Sequence, residues 1–210
     1  PMLVEGPGGE QDWRGAPFIS EPDYQQIFRA VHDAGVPVWT HANGDAAIDM
    51  VIRAHELVGA SPADDRRDVV IHSQFVRPDQ LDSYARLGIG ASFFTNHAYY
   101  WGDVHLRNLG EQRAFFLSPL NSAQQRGIHF SNHSDFAVTP LDPAMILWTA
   151  VARESRTGVV IGPLIDTEYS LSVSSVSADS HTSEPYICVD FSPASTSSAS
   201  TPSLASITLK

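Results

Sequence analysis

The sequence predicts an α/β fold with a parallel sheet, and three observations carry that reading. Short hydrophobic runs alternate with helix-like stretches in the order αβαβαβαβα. Those runs do not alternate polar with apolar residues, as expected of strands buried on both faces. Polar groups cluster at the ends of several different runs, a pattern that favours a (β/α)8 barrel over a doubly wound sheet. No Gly-x-Gly-x-x-Gly follows a strand, which disfavours dinucleotide binding.

Residues 1–19 are rich in Gly and Pro and read as loop. Ser20-Glu-Pro-Asp23 then opens a helix: Ser20 can cap it, Pro22 suits its first turn and Asp23 complements its positive end. Ile27, Phe28, Val31 and His32 form its apolar face, and Gly35 ends it. A strand is expected at 36–41 and a helix at about 44–58. After the polar turn Asp64-Asp-Arg-Arg67 comes a strand at 68–73. Pro78 opens a helix that Gly88 closes, and a strand follows at 88–95. The segment 96–110, with Tyr99, Tyr100 and Trp101, reads as a long loop. A helix is expected at about 111–126, a strand at 128–132 and a helix at about 141–155.

After Pro163 the composition changes. Ser and Thr make up about two in five of the residues from 163 to 210, arginine disappears and helical periodicity stops. Two regions are therefore expected: residues 1–162 as the folded domain, and 163–210 as a Ser/Thr-rich tail that is disordered or poorly packed.

The formal net charge of −11 argues against a nucleic-acid partner. No apolar run reaches the ~18 residues of a membrane helix, and no signal peptide is visible, so a cytoplasmic location is favoured. The single cysteine, Cys188, excludes a disulfide framework and a cysteine zinc cluster. Twelve of the thirteen basic residues are arginines, and the one lysine is Lys210.

Three strand tips carry the chemistry: His41 before Ala-Asn-Gly-Asp45, His72 after Asp68-Val-Val-Ile71, and Asp135 in Ser131-Asn-His-Ser-Asp135. Neutral imidazole and carboxylate are ligands for zinc and similar divalent ions. His72 follows His41 by 31 residues, about one strand-crossover-strand unit, and Asp135 follows His72 by 63, about two units. All three thus fall at the same end of a parallel sheet. A lone histidine at a strand end is more often structural; three groups in register make ligation the better reading. His133 rivals Asp135, because residues two apart on a strand point the same way.

These motifs, with Ile71-His-Ser-Gln74 and the continuation through Phe136 to Pro143, resemble the amidohydrolase superfamily. Within it they are most similar to amidohydrolase family 3, the group with N-substituted formamide deformylase-like and YtcJ-like members. The resemblance covers about residues 10–162. It implies strands five to eight of a (β/α)8 TIM-type barrel and one or two divalent metals, usually zinc. It also implies hydrolysis of carbon–nitrogen bonds other than peptide bonds, in a small-molecule amide, N-formyl or cyclic amide substrate. His41, His72 and Asp135 would be the metal ligands. Asp135 would also be the catalytic base, taking a proton from the activated water and delivering it to the leaving amine.

The same resemblance implies a first-strand His-x-His pair and a bridging lysine, and this sequence has neither. Pro1 at the start is consistent with that strand lying upstream. Two alternatives therefore stand beside the hydrolase reading: a catalytically incomplete fragment, and another divalent-metal barrel hydrolase. Unpaired edges of a half barrel also make homo-oligomerisation an expectation. Around the site, His97, Trp101 and His133 are candidates for substrate contact, with the aromatics of 99–101 as an apolar wall. Gln74 is expected to orient His72, and Asp45 to cap the helix after His41. Asp103, His105, His32 and His129 read as structural, and His55 as a surface or packing residue.

Overall fold

In the computed structural model, side chains are described for residues 1–162, with backbone structure also for 169–173 and 189–193. The rest of 163–210, with Cys188 and Lys210, lies outside the described residues. The chain forms α1 (Glu21–Asp33), β1 (Trp39–Ala42), α2 (Asp45–Val58), a 3-10 turn (Pro62–Asp64), β2 (Val69–His72), α3 (Pro78–Leu87) and β3 (Gly90–Phe93). It continues with α4 (Asn96–Leu109), α5 (Glu111–Ala114), α6 (Leu120–Gln125), β4 (Phe130–Asn132) and α7 (Pro143–Ala152). Strands β1 to β4 make one parallel sheet in sequence order. No helix among the described residues is long and apolar enough to cross a membrane.

Local chemistry explains the boundaries. Ser20 caps α1 by accepting from the Asp23 amide, and Pro22 stands in the first turn. Glycines in the left-handed conformation stop α2 at Gly59 and α3 at Gly88. Asp142 caps α7 by accepting from the Met145 amide.

Three expectations need correction. The segment 96–110 is not a loop but α4. Ala98, Gly102, Leu106 and Leu109 recur at helical spacing, and the aromatics between them obscure that period. Gly102 serves close packing, because a Cβ there would stand 2.9 Å from Ile161. The single helix expected at 111–126 is two short ones, broken at Ser118 (φ 43°) and Pro119. Finally, β1 is not buried on both faces, whereas β3 is, with Ala91, Ser92 and Phe93 all buried. Ala42, Val70, Ala91 and Phe93 pack against the helices, whereas Trp39 and His41, on the other side of β1, are exposed. In the Ser/Thr-rich stretch, Tyr169–Val173 and Val189–Pro193 form a two-stranded antiparallel sheet, β5 and β6. Tyr-Ser-Leu-Ser-Val and Val-Asp-Phe-Ser-Pro each alternate with strand period, a signal that the bulk composition hides.

The core lies between the sheet and α2, α3 and α6, with Ile48, Val51, Val70, Leu81, Tyr84, Phe93 and Leu120 almost fully buried. Phe93 packs edge-to-face on Phe130 at 5.8 Å. Phe93→Ala is expected to lower unfolding stability by ~3–5 kcal/mol, read from urea midpoints.

Asp68, just before β2, ties three elements together. Its Oδ1 accepts from the Val38 amide at 2.6 Å, and its backbone carbonyl accepts from Gly90 at 2.8 Å. Its Oδ2 stands 3.2 Å from Nε2 of His55, off the line of a straight hydrogen bond. His55 is thus a buried packing residue of α2, resting on Phe28. Burial pushes the Asp68 carboxyl up, but His55 and the Val38 amide outweigh it and hold the group below its usual pKa. A depressed carboxylate stabilises the fold above its unfolded pKa, and that contribution is lost as pH falls through the folded value. Wild type is therefore expected to lose stability below about pH 4 more steeply than Asp68→Asn, in urea titrations run at successive pH values.

Candidate metal centre

The sheet register brings the strand tips to one end. Ala42, His72, Phe93 and Asn132 stand level across the four strands; His41, Ile71, Ser92 and Ser131 stand one step earlier. Alternation directs Ala42 and Phe93 to the helix side and His41, Ser92 and Ser131 to the opposite face. His133, two residues beyond Ser131, returns to that face. His72 has the wrong parity for it, yet its ring centre lies 4.5 Å from that of His41 and 5.0 Å from that of His133. The backbone supplies the reason. His72 (φ 71°) and Ser73 (φ 46°) are left-handed, so the chain turns at the tip and carries the imidazole across. Asp135 is left-handed too (φ 52°). Such conformations cost ~1–3 kcal/mol each and are concentrated at functional sites.

One atom from each of His72, His133 and Asp135 forms a group within 4.8 Å of one another. Sequence reasoning placed His41 in this set and His133 among the substrate contacts. The structure puts His133 in the tight group, with His41 beside it, edge-on to His72 and exposed. Nδ1 of His133 lies 2.9 Å from Oγ of Ser92, and Ser131 Oγ donates to Ser92 Oγ at 3.0 Å. With the proton on Nδ1, directed at Ser92, Nε2 keeps a free lone pair. That nitrogen is buried and has no partner, as is Nδ1 of His72.

The electrostatics keep these rings neutral. Burial, with His41 adding to it against the opposing pull of Asp135, lowers the His72 pKa to about 4. Burial, then His72 and His41, lowers His133 to about 4. Buried neutral nitrogens without partners, next to a carboxylate, fit a divalent cation. Ser92 is the residue that sequence reasoning missed; a lone polar residue in the apolar strand Gly90–Phe93 was its one signal. Ser92→Ala is expected to weaken zinc binding about 10–100-fold by freeing the His133 ring, measured by competition with a chromophoric chelator.

His97 lies 5.6 Å from His72 and edge-on to Trp101 at 5.5 Å, so both border the group. Burial, followed by the surrounding histidines, pushes the His97 pKa down further than that of His72. Phe94, fully buried, stacks on His133 at 5.4 Å and meets His97 edge-on at 4.3 Å, which makes it a further wall residue. Two supporting roles need correction. Gln74 does not hold His72, because its amide nitrogen is 2.8 Å from Nε2 of His105. Asp45 is not the cap of α2: Gly44 holds that position, and Asp45 accepts from the Ala46 amide and from Arg113. Asp103 is structural, accepting from Ser155 and Thr157.

The amidohydrolase family model matches residues 7–182, and the chain belongs to that family. Over 150 residues it is 31% identical to an N-substituted formamide deformylase of Arthrobacter pascens, covering 71% of this chain and 28% of that protein. It is 27% identical over 157 residues to YtcJ of Bacillus subtilis strain 168, covering 73% of this chain and 29% of that one. The chain thus spans less than a third of the length of these curated relatives. A metal-dependent hydrolase of uncharacterized function from Pyrococcus horikoshii OT3 shares the fold: TM-score 0.59, 21% identity, 69% of this chain and 28% of that chain.

Proposed function

We propose that the chain is part of a metal-dependent hydrolase of carbon–nitrogen bonds other than peptide bonds, with β1 to β4 as strands five to eight of a (β/α)8 barrel. The convergence of His72, His133 and Asp135 within 4.8 Å at one end of the sheet carries this reading. Membership of the amidohydrolase family and the likeness to a formamide deformylase support the bond class. In this reading the barrel domain is residues 1–162 and residues 163–210 are a Ser/Thr-rich tail.

His72, His133 and Asp135 would hold a divalent ion, for which two nitrogens and one oxygen suit zinc, and His41 stands next to them. Bound there, the ion would supply Lewis acidity, polarising a scissile carbonyl and acidifying the attacking water. Asp135 would take the proton of that water and return it to the departing nitrogen. Ser92 fixes the His133 ring through Nδ1. Phe94, His97 and Trp101 wall the site and exclude water from one side of it.

The test is turnover of N-substituted formamides and simple cyclic amides by the zinc-loaded chain, compared with Asp135→Asn. Turnover that Asp135→Asn abolishes supports the proposal; turnover that survives the substitution removes Asp135 from its role. A second reading rests on the chain's covering only 28% of the deformylase and 29% of YtcJ. It describes a chain that binds metal but lacks part of the catalytic set, and zinc binding without turnover of any of these amides would favour it.

A further inference from the structure

A cavity of about 560 Å³ opens beside the strand tips, between the N-terminal segment, the start of α2 and the α4–α5 side of the fold. Its volume is that of a small-molecule site. His72, His133 and Asp135 do not line it, so it is separate from the metal centre. Trp13 and Phe75 give it aromatic walls.

The charged side chains of this cavity are mostly cationic. Three guanidinium groups, Arg14, Arg77 and Arg113, outnumber the two lining carboxylates, Asp45 and Asp49. Arg77 commits four of its five N–H groups, two to Asp49 and two to Asp79. Asp49 also accepts from Gln80, and Asp45 from Arg113 and the Ala46 amide, so both carboxylates are committed. Arg113 gives one N–H of Nη2 to Asp45 and one of Nη1 to the Pro1 carbonyl, which leaves its Nε–H and a second N–H on each Nη. Arg14 has no partner among the described residues.

His105 adds a donor of a different kind. The Gln74 amide nitrogen, 2.8 Å from its Nε2, can only donate, so Nε2 accepts and the ring proton sits on Nδ1. That Nδ1–H has no partner among the described residues. Burial keeps the ring neutral, consistent with its pKa being lowered to about 4.

We infer that this cavity is a binding site for a small aromatic carboxylate, its ring between Trp13 and Phe75 and its oxygens on Arg14, Arg113 and His105 Nδ1–H. Charge-assisted bonds from two guanidinium groups recognise a carboxylate and discriminate against the isosteric amide, which offers one acceptor and no charge. The site goes beyond the proposed hydrolase reading, because neither the ion nor any of its ligands takes part.

The test is isothermal titration of the full 210-residue chain, first freed of metal by chelation, with 3-phenylpropionate and with 3-phenylpropionamide. The carboxylate is expected to bind at least about tenfold more tightly than the amide, a preference weakened by added salt. Arg14→Met removes most of that preference, whereas Arg107→Met, on the exposed end of α4, leaves it unchanged. Equal binding of acid and amide overturns the inference, as does no binding of either, or an Arg14→Met protein with the wild-type preference. The acid–amide comparison needs no variant, so it decides the matter even if a substitution perturbs folding. A zinc titration of the same sample reads the metal centre separately, so failure of one leaves the other intact.

Discussion

His133→Ala is expected to lower the zinc affinity of the chain by at least about 100-fold, while His41→Ala lowers it about tenfold or less. The contrast follows from geometry. His133 offers a buried Nε2 with no partner, is fixed through Nδ1 by Ser92, and lies with His72 and Asp135 in one group of ligand atoms. His41 borders that group from an exposed position, edge-on to His72. Losing a ligand costs more than the about 10–100-fold that loss of a supporting hydrogen bond costs. Competition with a chromophoric chelator measures both variants, and circular dichroism controls for folding. Equal losses would mean that His41 shares the ion on the same footing. A larger loss for His41 would move the site one step down the strands.

The second large effect is on stability. Arg153 is 2% exposed, and no carboxylate is recorded against its guanidinium among the described residues. Nε donates to the Ile161 carbonyl at 2.6 Å and Nη1 to that of Ser118 at 2.9 Å, while Nη2 donates to that of Leu117. The side chain therefore pins the end of α7 and the turn after it to the segment between α5 and α6. Burial lowers its pKa to about 10, so it remains charged at neutral pH. Arg153→Ala deletes these bonds and strands three buried carbonyls, each worth ~1–3 kcal/mol when left unpaired. A loss of ~3–5 kcal/mol is expected in urea unfolding. Arg153→Lys recovers only part of it, because an ammonium lacks the planar fork that spans three acceptors. The packing beyond is equally tight: Gly162 adopts φ 81°, and a Cβ there would stand 1.7 Å from the Phe115 carbonyl oxygen. If Arg153→Ala unfolds at the wild-type midpoint, these bonds contribute nothing net.

Much of the scaffold was legible in the chain because its signals are local. Ser20, Gly59 and Gly88 mark helix ends by their own conformational preferences. The apolar runs before His41 and His72 mark parallel strands whose tips share an end. What escaped depends on non-local geometry. The aromatic stretch Tyr99-Tyr100-Trp101 concealed α4, because the helical spacing of Ala98, Gly102 and Leu106 becomes informative once Ile161 is known to press on Gly102. The choice between His133 and Asp135 was posed as a rivalry, since strand alternation treats both alike. The left-handed turn at Asp135 lets both face one point. The left-handed φ of His72 was likewise invisible, and without it strand parity would bury that ring among the helices. The roles expected of Gln74 and Asp45 rested on sequence proximity, and each side chain instead finds a partner on α4 or α5.

The most direct test of the metal centre is a crystal structure of the zinc-soaked chain with anomalous data at the zinc edge. The prediction is one peak about 2.0–2.2 Å from Nε2 of His133, a nitrogen of His72 and a carboxylate oxygen of Asp135. A peak held by other residues, or none at those three under saturating zinc, would contradict it.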